Sequence, residues 1–206
     1  GISNSKIRNK KEISREKKEI INFINQLEKK KILIYVSSLS VLNNTLKNDD
    51  YVKNKIFIEK KIIKKVKKYI IIRLPQVIGI NNNPFTITNF FYNNIKNNKK
   101  FNLWTGVNRN LIDINDLKYI FKDILNKKYS KKKILNIYNP VSISVKEIVY
   151  IFEKILNIKA KFNQIKDNKE NKFNYNILKR HSYMNLFRKK DYNYKILKKY
   201  YKWNYL

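Results

Sequence analysis

KILIYVSS, residues 31–38, runs Ile-Leu-Ile-Tyr-Val without interruption after Lys31 and stops at Ser37-Ser38. A short, continuous apolar run suits a strand buried on both faces of a parallel sheet; a strand with one wet face would alternate instead. On its amino side, residues 10–30 carry Ile13, Ile20, Ile21, Ile24 and Leu27 at helical spacing, with Lys and Glu filling the other face. That spacing predicts an amphipathic helix. On its carboxyl side, a polar loop with Asn43, Asn44, Asp49 and Asp50 leads into a second helical pattern, from Tyr51 to about Lys68, with Val52, Ile56, Ile62, Ile63 and Val66 on its apolar side. YIIIRL, residues 69–74, repeats the buried-strand pattern; Pro75 closes it and Gly79 falls in the following turn. The order helix, strand, helix, strand is that of a parallel α/β sheet.

The second half reads differently. Asn81 to Pro84 is a loop, residues 85–97 form a helix rich in Phe and Asn, and residues 105–114 are irregular or extended. Asn115 or Asp116 caps a helix carrying Leu117, Ile120, Phe121, Ile124 and Leu125, since a short polar side chain can accept from the free amides of a first turn. A strand is expected over residues 134–138, ended by Asn139-Pro140. Ser144-Val-Lys-Glu147 has the pattern of a capping box, opening a helix with Ile148, Ile151, Phe152, Ile155 and Leu156 in register. In such a box the Ser hydroxyl and the Glu carboxylate satisfy amides reciprocally. From Lys161 the pattern loosens into a tail rich in Lys, Asn and Tyr, with one last helix over residues 192–203.

Composition excludes several classes. The 206 residues hold 47 Lys+Arg against 15 Asp+Glu, a formal charge of +32 that invites a polyanion partner. However, 41 Lys, 33 Ile and 32 Asn make up half the chain, the bias of an AT-rich coding sequence. Lys outnumbers Arg 41 to 6, although Arg is the side chain suited to bidentate phosphate and base recognition. Disorder is excluded by 43% hydrophobic and 14% aromatic residues. There is no cysteine for a disulfide framework, no apolar run long enough to span a bilayer and no signal-peptide core at residues 1–12, so the expected location is cytoplasmic.

The feature that carries chemistry is Tyr51-x-x-x-Lys55 after a strand ending in Ser38. Residues four apart share a helix face, so the ammonium can approach the phenol. A phenol titrating near ~10 is a poor base at neutral pH, and a nearby cation brings it toward the working range. A Ser hydroxyl at the carboxyl end of a parallel strand faces the crevice where open α/β sheets bind ligands.

Four stretches in order are similar to segments of the extended short-chain dehydrogenase/reductase family, the NAD(P)-dependent epimerases, dehydratases and reductases of nucleotide sugars. Residues 32–41, ILIYVSSLSV, resemble the strand that ends in the catalytic Ser or Thr, which falls on Ser38. Residues 51–55, YVKNK, with Glu59 one turn on, resemble the YxxxK helix. Residues 70–79, IIIRLPQVIG, resemble the strand and turn beside the nicotinamide; residues 105–117, TGVNRNLIDINDL, resemble a segment whose Arg contacts the nucleotide diphosphate. The resemblance implies a partial Rossmann-like α/β fold, with residues 1–80 the second half of the cofactor domain. Residues 81–206 then form a smaller substrate-binding region, whose strand at 134–138 returns to the main sheet. It implies Ser38, Tyr51 and Lys55 as catalytic residues, Tyr51, Lys55 and Pro75 against an NAD or NADP cofactor, and Ser38 and Arg109 against a nucleotide-sugar substrate. A second copy of the chain in a homodimer is a further implied partner; a membrane is not.

Some features depart from the family. The only glycines are Gly1, Gly79 and Gly106, so the residues shown lack the Gly-rich turn that binds the pyrophosphate. The expectation is a fragment, or a split or decayed enzyme, that does not bind NAD(P) tightly by itself. The loop between Ser38 and Tyr51 is short, and Leu42 stands where a Tyr is common. The single histidine, His181, lies in the Lys-rich tail and the carboxylates are scattered, so no metal site is expected. Two other readings compete: a catalytically silent remnant, and a basic nucleic-acid-binding protein whose Tyr and Phe stack on bases. Against nucleic acid, the lysines are spread along the whole chain, as in Lys60-Lys61-Ile-Ile-Lys64-Lys65, like solvated helix faces. Binding to single-stranded RNA should therefore be confined to low salt and vanish at physiological ionic strength in a filter-binding titration.

Overall fold

A computed structural model describes residues 10–126, 132–166, 182–187, 189 and 191–202. His181 and Trp203 lie outside the described residues. In chain order the elements begin with α1 (Lys10–Gln26), β1 (Leu33–Ser38), α2 (Asp50–Lys65), β2 (Tyr69–Leu74), β3 (Gln76–Ile78), α3 (Ile87–Lys96), β4 (Phe101–Thr105) and β5 (Asn108–Arg109). They continue with β6 (Leu111–Asp113), α4 (Ile114–Asn126), β7 (Lys132–Asn136), β8 (Ile143–Ser144), α5 (Val145–Leu156), β9 (Phe162–Lys166) and α6 (Tyr192–Tyr201). They divide into two compact units, one running to Pro75 and taking in Ile124–Ile137, the other comprising Gln76–Asp123 and the chain from Tyr138 on.

The first unit is a partial Rossmann-like α/β layer. Its sheet has the order β1-β2-β7, all parallel, with Leu33 opposite Tyr69 and Tyr69 opposite Lys132. β2 is the central strand, and Ile70, Ile71 and Ile72, which point to both of its faces, are all buried, so its sequence does not alternate. Side chains two apart on a strand share a face, and Leu33, Tyr35, Tyr69 and Ile71 meet Ile24 of α1 and Ile58, Ile62 and Val66 of the α2 segment in one core cluster. Asp49 caps α2 by accepting the Val52 amide at 3.1 Å, and Lys64 and Lys65 lie in its last turn, where cations favour the helix dipole.

Boundaries differ from the periodicity where tertiary contacts intervene. β1 continues through Ser37 and Ser38, which pair with Arg73 and Leu74. α2 stops at Lys65 because Val66, in extended conformation, turns its side chain into the core. Between Pro75 and the bend at Gly79 lies a short strand, β3, paired in parallel with β6.

The second unit contains β3–β6, the parallel pair β4–β9, the antiparallel pair β5–β8, and helices α3, α5 and α6. β9 lies where the sequence reads as a loosened tail; it is half exposed, and its alignment with Phe101–Thr105 supplies the order that its own pattern lacks. Tyr92 of α3, Phe152 of α5 and Tyr201 of α6 pack ring against ring with centroids 4.9–5.8 Å apart. The capping box is present as read: the Glu147 amide donates to Ser144 Oγ at 3.1 Å and the Ser144 amide to Glu147 Oε2 at 2.8 Å. The cap of α4 falls on Asp113 instead of Asn115 or Asp116, since Asp113 Oδ1 accepts the Asn115 amide at 2.9 Å. Asp116 is drawn away to accept the Tyr192 hydroxyl at 2.7 Å. Among the described residues no helix is long and apolar enough to cross a membrane.

Because Ile72 is fully buried in the central strand, Ile72→Ala should destabilise the chain by about 3 kcal/mol, the usual cost of such a cavity. Urea denaturation followed by circular dichroism measures it.

Candidate active site

The site grows from the carboxyl end of β1. The chain turns at once into a 3-10 turn, Leu39–Leu42, and Ser38 caps it with its own side chain. Ser38 Oγ accepts the Ser40 amide at 3.2 Å and the Ser40 hydroxyl at 2.8 Å. Ser38 also hydrogen-bonds the Tyr51 phenol in the sense that lowers its pKa, which is the effect of a donor on a developing phenolate. The three hydroxyls therefore form a chain, Ser40 to Ser38 to Tyr51, pointing toward the phenolic oxygen.

Lys55 lies one turn further along α2, its Nζ 5.6 Å from the Tyr51 ring centroid and 5.4 Å from that of Tyr35. The ammonium donates to the Tyr35 hydroxyl at 3.2 Å and to Glu16 Oε1 at 3.0 Å. Glu16 comes from α1; its second oxygen accepts from Asn54 Nδ2, and both Glu16 and Lys55 are 3% exposed. Sequence reasoning placed Glu16 on the solvated face of α1. The signal against that was present: Ile13, Glu16, Ile20, Ile24 and Leu27 are spaced by three or four, so Glu16 lies on the apolar stripe. Val52, Lys55, Glu59, Ile62 and Val66 show the same spacing in α2.

The partner of Lys55 changes the electrostatics. The expected depression of the Tyr51 pKa is not what the structure shows. Burial pushes the Tyr51 phenol above its ordinary value, Glu16 and Asp49 push it the same way, and only the Ser38 hydrogen bond pulls it down. Burial, followed by Glu16, Tyr51 and Glu59, raises Tyr35 still further. The ammonium is close to the phenol, but its charge is matched by the carboxylate of Glu16.

Arg73 of β2 is spoken for. Its Nε donates to Glu59 Oε1 at 3.0 Å and its Nη2 to Oε2, a two-pronged pair between β2 and α2. Pro75 follows at the end of β2, half-buried. Arg109 belongs to the second unit, exposed on β5, where it lies opposite Ile143. The structure thus brings Ser38, Tyr51 and Lys55 together within one unit and carries Arg109 on the other.

A dinucleotide needs a pyrophosphate cradle as well as groups around its nicotinamide end. The two described glycines do other work: a Cβ at Gly79 would lie 2.9 Å from the Ile114 side chain, and Gly106 takes a φ of 86° in the turn after β4. Among the described residues, then, nothing offers the cradle, and Lys55, expected against the cofactor, is 3% exposed and engaged by Glu16 and Tyr35, so these residues alone do not fit the whole cofactor. No group of three or more His, Cys, Asp or Glu side chains among them is placed to hold a metal ion.

No protein-family model matches the chain, and no curated protein does. Solved structures do match, and at 12–17% identity what they share with the chain is its partial Rossmann-like α/β fold. One is the UDP-glucose 4-epimerase of Thermus thermophilus in complex with NAD, 12% identical with a TM-score of 0.60 over 73% of this chain and 57% of that one. Another is a UDP-N-acetylglucosamine 4-epimerase from Methanobrevibacter ruminantium, in complex with UDP-N-acetylmuramic acid, 17% identical with a TM-score of 0.64 over 93% of this chain and 67% of the other. A third is the UDP-glucuronic acid 4-epimerase of Bacillus cereus in complex with NAD, 17% identical with a TM-score of 0.60, covering 71% and 53%. The chain spans between about half and two thirds of the length of these structures.

Removing Arg73 strands the Glu59 carboxylate, itself 4% exposed. Arg73→Met should cost about 3 kcal/mol, and adding Glu59→Gln should recover most of it. A double-mutant cycle in urea reads both values.

Proposed function

We propose that the chain is the site-bearing part of an NAD(P)-dependent epimerase, dehydratase or reductase of nucleotide sugars. In this reading the first unit is the cofactor side and the second the substrate side. The observation that carries it is the gathering of Ser38, Tyr51 and Lys55 at the carboxyl end of a buried parallel strand, with Ser38 hydrogen-bonded to the Tyr51 phenol and Lys55 Nζ 5.6 Å from its ring. The supporting likeness is a fold shared with enzymes whose solved complexes hold NAD and nucleotide sugars.

The chemistry assigned to the chain is proton handling at one carbinol of the sugar. Burial keeps the Tyr51 phenol protonated, so it is assigned to give its proton to the sugar oxygen as the carbon is reduced and, as the phenolate so formed, to take one back when a carbinol is oxidised. Ser38, held by Ser40, orients that hydroxyl toward the phenol. Lys55 sits beneath Tyr51 on the same helix face and, with Pro75, borders the nicotinamide end. Arg109, exposed and charged at neutral pH, is suited to a diphosphate oxygen by its fork of donors. A nicotinamide cofactor, when bound, supplies hydride acceptance and return.

The test is made in the protein as its full reading frame encodes it, supplied with NAD(P) and UDP-hexoses. Tyr51→Phe should lower kcat by roughly 10²–10⁴-fold, the range for loss of a general acid/base. Circular dichroism and melting should be unchanged, since the ring is kept. Turnover that survives the substitution overturns the assignment of Tyr51.

A further inference from the structure

A buried carboxylate from α1 faces the YxxxK pair, and nothing in the resemblance assigns it a role. Glu16 Oε1 lies 3.0 Å from Lys55 Nζ, with both side chains 4% exposed. Its other oxygen is held by Asn54, the residue next to Lys55, so the carboxylate cannot swing away without losing a second contact. Charges this deep interact far more strongly than surface pairs, because little water screens them.

We propose that Glu16 is a positioning residue that sets the proton affinity of Tyr51 by holding the Lys55 ammonium in a closed ion pair on the α1 side of α2. The groups facing Tyr51 are Lys55 on its own helix, Asp49 at the helix cap, Ser38 and Tyr35 on β1, and Glu16 on α1. Lys55 is the one cation in this set, and it is the group Glu16 engages. With the pair closed, the phenol responds mainly to its burial and to the carboxylates, and it is driven up; with Glu16 neutral, the ammonium acts on the phenol without opposition. The consequence for turnover rests on reading Tyr51 as the acid/base, whereas the coupling from Glu16 through Lys55 to Tyr51 does not.

The experiment is an alkaline titration of phenolate absorbance on the full chain, each variant read against its own Tyr51→Phe counterpart so that the other tyrosines cancel. It needs neither cofactor nor substrate, so its outcome is independent of whether Tyr51→Phe abolishes turnover. Gln preserves the size of Glu16 and its contact with Asn54. In Glu16→Gln the Tyr51 phenolate should form at about tenfold higher proton concentration than in the unsubstituted chain. An unchanged or more alkaline midpoint overturns the proposal. Should Glu16→Gln fail to fold, Glu16→Gln with Lys55→Met removes both charges together. A closed pair predicts that the Tyr51 midpoint then stays within about twofold of the unsubstituted value. A larger alkaline shift would show the ammonium acting alone, and a larger acid shift would show Glu16 acting on the phenol directly; either overturns the role of Glu16 through Lys55.

Discussion

Two opposite charges lie one turn apart on the buried stripe of α2, and the first unit is arranged to neutralise them. Lys55 is met by Glu16 of α1 and Glu59 by Arg73 of β2, so one helix is tied to a helix on one side and to the central strand on the other. Leaving either charge unpaired in the interior costs several kcal/mol, at about 3–5 when one partner of a buried pair is removed. An apolar replacement of the whole pair would cost little or nothing. The pairs therefore contribute less to net stability than to register. A slip of α1 or β2 by one residue leaves a buried charge facing hydrocarbon.

The same arrangement shapes the candidate site. Tyr51 belongs to the first turn of α2, one turn before Lys55, and its hydroxyl reaches the Ser38 that ends β1. Three influences compete at the phenol. Burial and the carboxylates favour the neutral form, and the Ser38 donor favours phenolate; the balance is an elevated pKa. A lysine four residues away would by itself argue for the opposite sign, but burial dominates, and Glu16 and Asp49 add to the rise. Proximity of a cation is thus a weaker statement than its net field.

In the second unit Asp113 plays the comparable part. It caps α4 through the Asn115 amide, and its carboxylate accepts Lys199 Nζ at 2.8 Å and the Tyr200 hydroxyl at 2.5 Å. The Asp113 amide donates to the Tyr192 hydroxyl, which in turn donates to Asp116. Three side chains of α6 therefore converge on the end of β6 and the start of α4. Asn110 holds another junction by bracketing the backbone of Asn139: its Nδ2 donates to the Asn139 backbone carbonyl at 2.6 Å, and its Oδ1 accepts the Asn139 backbone N–H at 2.9 Å. In a chain this rich in Asn, such contacts let a compositionally monotonous sequence specify particular junctions.

Local periodicity was enough to determine the α/β class, the helices α1, α2, α4 and α5, the strands β1 and β2, and the capping box at Ser144, since each depends on residues within a few positions. The sharing of one helix face by Tyr51 and Lys55 was likewise written in a spacing of four. Tertiary structure alone decided that β9 aligns with β4, that β3 follows Pro75, that Asp113 takes the cap, and that Arg73 is committed to Glu59. It also decided the sign of the shift at Tyr51. Glu16 and Lys55 are 39 residues apart, and periodicity reports which side of a helix is buried, not what it is buried against. A charged residue on an apolar stripe marks a buried partner somewhere, and only the folded chain says whose charge it meets.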